Sequence, residues 1–80
     1  MMGRSDIKVR VMKEVIADLG QEFATKDVSE DERMIRAHPF DFRHSHYHAF
    51  VGGAISDNRG VLNVKEIKKG TKRGSIWRKI

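Results

Sequence analysis

The chain contains no cysteine, which excludes both a disulfide and a thiolate zinc site as supports for its fold. No apolar run approaches the roughly 18 residues that a membrane span requires, and no signal-peptide core follows Met1. The expectation is a cytoplasmic protein with no membrane partner. A glycine-rich phosphate loop, a Ser-His-Asp spacing and paired carboxylates in an apolar setting are all missing, so no enzyme and no cofactor are expected. Acidic residues are scarce at one end: beyond position 58 the only one is Glu66.

At 80 residues the chain has room for one hydrophobic core, and residues 1–80 are expected to form one domain with a loose start over 1–4. With 39% hydrophobic and 34% charged residues, the composition is that of a folded domain. The net charge of +5 is unevenly spread. Residues 59–80 carry eight basic side chains against Glu66, a balance of +7, whereas residues 1–58 sum to −2. Such an asymmetry points to a polyanionic partner; the plainer reading is a well-solvated hairpin.

Periodicity divides the chain. Ile7, Val11, Met12, Val15, Ile16 and Leu19 fall on one helical stripe, with Ser5-Asp6 as N-cap and Gly20 as a left-handed stop. Residues 21–24 read as a short extended piece carrying Phe23 inward. Thr25 caps a second helix with Val28 and Ile35 buried, Met34 a possible third, and residues 29–33 facing water. Residues 37–44 form a loop in which Pro39 disfavours helix at His38 and Phe40 and Phe42 turn inward. Ser45 caps a third helix with the stripe Tyr47, Phe50, Val51, Ala54 and Ile55, ended by residues 57–60. From Val61 the period changes to two, with an extra residue before Ile67 that signals a bulge or a bend. Residues 70–74 are then a hairpin loop and 75–80 a return strand.

Four segments of this order resemble the winged-helix family of DNA-binding domains. They are Phe23-Ala24-Thr25-Lys26-Asp27-Val28, Phe50-Val51-Gly52-Gly53-Ala54-Ile55, Asn58-Arg59-Gly60-Val61-Leu62 and Gly74-Ser75-Ile76-Trp77. The likeness covers residues 5–79 and extends to small winged-helix proteins of bacteriophages. It implies an α+β fold of three helices in a winged helix-turn-helix with a two-stranded C-terminal β-hairpin wing. It also implies a third helix in the major groove and a wing on backbone or minor groove. Carried onto this sequence, the contacts are His44, Ser45, His46, Ala49, Gly52, Ser56 and Arg59, then Lys68, Lys69, Lys72, Arg73 and Arg78. The helix face has few long donors, which limits base-specific reading.

Each candidate has a plain reading beside the functional one. Trp77 stacks on a nucleotide or buries its ring over the first helix. Gly52-Gly53 costs about 1 kcal/mol per residue within a helix; close approach of a backbone or packing against the first helix accounts for it equally. The His44 and His48 pair has a four-residue spacing that suits a metal on one helical face, but with no cysteine beside it the expected metal site is none. Imidazoles near phosphate would instead strengthen binding below about pH 6.5, and solvated histidines without a role are the alternative. The leading expectation is double-stranded DNA binding in transcriptional or replicative regulation, with a nucleoid-associated location when bound. The alternatives are a protein-interaction adaptor docking through Ala49, Gly52 and Gly53, and RNA binding by the hairpin. Monomer and homodimer both remain open, a dimer reading half-sites one turn apart.

Overall fold

The computed structural model describes residues 6–80. Its elements are α1 (Val9–Asp18), β1 (Glu22–Ala24), α2 (Thr25–Ser29), α3 (Glu32–Ala37), a 3-10 turn (Asp41–Arg43), α4 (Tyr47–Asp57), α5 (Arg59–Leu62), β2 (Val64–Thr71) and β3 (Gly74–Lys79). The architecture is α+β, with five α-helical segments among the described residues and one antiparallel sheet in the order β1-β3-β2. The sheet has three strands, not two, because β1 pairs with β3: Phe23 lies opposite Trp77 and Ala24 opposite Ile76. Pairing strands so far apart in sequence leaves no local signal.

In α1 the buried side chains are Met12, Val15 and Ile16, the expected stripe, and Ile7 is buried just ahead of the helix. Ser5 lies outside the described residues, as does the loose start. The helix begins at Val9, and the Lys8 amide at its N-terminus donates to His38 Nε2 at 3.3 Å. A buried histidine from a later turn thereby satisfies a donor that a local cap satisfies elsewhere. Gly20 does not take the left-handed conformation; the helix ends at an extended Leu19.

The second helix is broken in two. Asp31 leaves helical geometry (φ −65°, ψ 139°) and accepts from the Arg33 amide at 2.9 Å, capping α3. The same carboxylate takes the Arg33 side chain at 3.0 Å, and that guanidinium reaches Asp18 of α1 at 2.6 Å. Arg33 holds the Asp31 carboxyl below its ordinary range, chiefly through this side-chain hydrogen bond. The break inverts part of the expected burial: Met34 is fully buried and Ile35 only partly, and Ser29 is buried instead of facing water. Thr25 is the first residue of α2 and not its cap; Asp27 caps from within, its Oδ2 accepting from the Ala24 amide at 2.8 Å.

Phe42 packs partly buried against the core, but Phe40 is 87% exposed, contrary to expectation. Pro39 and Phe40 form a turn that points this ring outward. Ser45 does not cap α4, whose N-cap position is His46 with no side-chain bond. Tyr47, Val51, Ala54 and Ile55 are buried along α4 and Phe50 partly so. Asn58 ends it, its backbone and side-chain amides both donating to the Ala54 carbonyl. The chain then adds the α5 turn, so the strand begins at Val64 and Val61 is 58% exposed. The stop is Asn63 in the left-handed region (φ 54°), not Gly60.

The core joins the α1 stripe, Phe23, Val28, Met34, the α4 stripe, Leu62, Val64 and Trp77. Among the described residues no helix is long and apolar enough to cross a membrane.

Candidate nucleic-acid interface

Thr25 organises the candidate surface. Its Oγ1 accepts from the buried Trp77 indole N–H at 2.9 Å and donates to the Ser75 carbonyl at 3.4 Å. Its methyl group occupies the space beside Gly52 of α4, where an added Cβ would stand 3.4 Å from Thr25 Cγ2. Gly74, with φ +88°, passes so close that a Cβ there would meet Thr25 Cβ at 2.9 Å. One side chain therefore gathers α2, α4 and the hairpin. Trp77, 1% exposed, is an anchor in the core and is not available to stack on a base.

Between α4 and the hairpin runs an open groove of about 480 Å³. Its α4 wall is His48, Ala49, Gly52, Gly53 and Ser56; its hairpin wall is Glu66, Lys69, Gly70, Arg73, Gly74 and Ser75; α2 contributes Thr25 and Lys26. Of the twelve residues expected to contact nucleic acid, Ala49, Gly52, Ser56, Lys69 and Arg73 meet here. Arg59 is exposed just beyond α4, its Nη1 donating to Ser56 Oγ at 2.9 Å.

The other expected contacts lie elsewhere. Arg78 faces Glu22 across the sheet and lies opposite Lys65. Lys68 lies opposite Ile76, one residue from Trp77 and so on the reverse face. The cause is the register shift between Glu66 and Lys68, which leaves Ile67 as the extra residue and reverses the alternation. Lys65, Lys68 and Arg78 thus share the outer sheet face, while Glu66 shares the Trp77 side.

The hairpin does not project freely. Its turn docks on α2, where the Lys26 amide donates to the Arg73 carbonyl at 3.0 Å. The Arg73 Nη2 reaches Asp27 at 2.9 Å and Glu30 at 3.2 Å, and Asp27 is the chief cause of the raised Arg73 pKa. Lys69, itself exposed, lies 3.6 Å from the partly buried Glu66. Lys65, Lys68 and Lys72 make no ion pair among the described residues. The hairpin expected as a wing is therefore seated against α2, with its cations divided between two faces.

The histidines separate. His44 and His46 are exposed in the turn before α4, rings 5.4 Å apart and both beside Phe50. His48 lies on α4, its Nδ1 hydrogen-bonded to Ser29 Oγ. Because His44 precedes the helix, the four-residue spacing to His48 is not a helical pair. Sequence reasoning missed Thr25, Lys26, His48, Glu66 and Ser75 as parts of the groove. The only local hint was the Thr25-Lys26-Asp27 helix start, and nothing in it reveals that the hairpin turn folds beside it.

Comparison with protein-family models, curated proteins and solved structures gives no match to this chain.

Proposed function

We propose that this domain binds double-stranded DNA in the manner of a short-winged winged helix, with the outward face of α4 against the duplex. The observation that carries the reading is the shared groove: the small residues of α4 and the basic hairpin border one open channel. Ala49, Gly52 and Gly53 let a sugar-phosphate backbone approach the helix closely. Lys69 and Lys26 flank it, Arg59 extends it, and Lys72 stands at the hairpin turn. The order of elements, with a hairpin directly after the last helices, supports the winged-helix reading.

Positioning by phosphate dominates such an interface, because Ala, Gly and Ser cannot make the bidentate base contacts of Arg, Asn or Gln. Specificity is accordingly weak. Arg78, tied to Glu22 on the outer face, drops out of the contact set. Lys68, on the same outer face, drops out with it; with Lys26, Lys69, Lys72 and Arg59 each meeting a phosphate, the slope of log affinity against log salt is about −3.6.

The test titrates a labelled duplex of about 20 base pairs between about 50 and 200 mM salt. Over that range affinity falls roughly a hundredfold. A variant with Lys26, Lys69, Lys72 and Arg59 all changed to alanine loses most of the binding and of the slope. Absence of duplex binding at the lowest salt refutes the reading and favours a protein partner on the same small-residue face.

A further inference from the structure

Resting on the nucleic-acid reading above, the strongest further observation is an occupied cation at the mouth of the groove. Arg73 is the groove residue with the geometry best suited to phosphate, a planar fork of donors. In the free protein that fork already holds two anions, Asp27 at 2.9 Å and Glu30 at 3.2 Å, both through Nη2. Two carboxylates around one guanidinium leave the site with a surplus negative charge. Main-chain pairing of Lys26 with Arg73 keeps the turn seated, so the side chain changes partner without the hairpin moving.

The two acids differ in duty. Asp27 is also needed to cap α2, through Oδ2 and the Ala24 amide. The Glu30 side chain has no second hydrogen-bond partner among the described residues and is half exposed. No part of the fold requires a carboxylate at that position.

We propose that Asp27 and Glu30 act as an internal substitute for phosphate: they hold Arg73 while the groove is empty and yield it to a nucleic-acid backbone on binding. Glu30 is the adjustable half of this contact. It lowers affinity by competing for Arg73, and it flattens the salt dependence, because the arginine enters the complex already neutralised.

The experiment is a two-by-two comparison of the whole chain, Glu30→Gln and Arg73→Ala and their combination, titrated with the same duplex at several salt concentrations. Glu30→Gln strengthens binding two- to fivefold, the weight of an exposed ion pair, and steepens the salt slope by less than about 0.9, since Asp27 still balances part of the Arg73 charge. In the Arg73→Ala background the same change gives little gain, since there is no arginine to release. General repulsion between Glu30 and DNA predicts an equal gain in both backgrounds, and that result overturns the proposal while leaving DNA binding intact. Failure of the unaltered chain to bind any duplex overturns the DNA reading itself, and this inference with it. Glu30→Ala repeats the comparison without an amide, and thermal unfolding of each variant verifies that α2 is retained.

Discussion

Changing Thr25 to valine tests how the domain is held together, because it removes a single oxygen and nearly preserves shape. The indole N–H of Trp77, 1% exposed, donates to Thr25 Oγ1 at 2.9 Å and is sealed from solvent. Leaving a buried donor without its acceptor costs about 1–3 kcal/mol. The Cγ2 contacts beside Gly52 and Gly74 survive in valine, so the loss is one of hydrogen bonding and not of packing. For a domain of this size each kcal/mol lowers the melting temperature by roughly 4–8 °C. Thr25→Val should therefore melt at least about 4 °C lower and unfold at lower urea, with an unchanged dependence on denaturant. Trp77 is the only tryptophan, so emission follows this one site. Thr25→Ser is the control: it keeps the acceptor and gives up a buried methyl group worth about 0.8 kcal/mol. If Thr25→Val unfolds within about 0.3 kcal/mol of the parent, within the noise of additivity, the bond to Trp77 is not what secures the hairpin.

Two further outcomes follow from the same geometry. The Tyr47 hydroxyl is buried with no hydrogen-bond partner among the described residues, and its pKa is pushed up to about 12, mainly by burial and secondly by Asp41. A raised pKa means this contribution to stability is intact below the unfolded value near 10 and is lost as pH rises through about 12. Tyr47 is the only tyrosine, so phenolate absorbance reads it directly, and native titration at its ordinary value contradicts the burial argument. Tyr47→Phe is expected to be neutral or stabilising, since it deletes an unsatisfied group. Gly52→Ala separates folding from binding: the helix gains up to about 1 kcal/mol of propensity and the Cβ just fits beside Thr25, whereas a close backbone in the groove is pushed away. Calorimetric melting should rise while duplex affinity falls, and a variant that binds as well as the parent removes Gly52 from the contact.

Local patterns in the sequence determined a good part of this domain. The α1 and α4 stripes, the short strand before Thr25, the hairpin turn and the bulge at Ile67 all follow from periods of 3.6 and 2 and from turn residues. These are near-neighbour effects, so near neighbours reveal them. The helix stops were less legible. Gly20 and Gly60 permit a left-handed end but do not compel one, and Asn63 takes that conformation instead. Phe40 and Phe42 look alike in sequence, yet one ring faces water and the other the core.

Tertiary structure alone decided where the charge goes. The sequence placed +7 in the last 22 residues. One extra residue in β2 then reversed the alternation and sent Lys68 to the outer sheet face with Lys65 and Arg78, leaving Lys69 at the groove. Docking of the hairpin turn on α2 joined Arg73 to Asp27 and Glu30, residues more than forty positions away. Composition fixes how many charges a chain carries; strand register and contacts between distant segments fix which of them meet a partner and which meet each other.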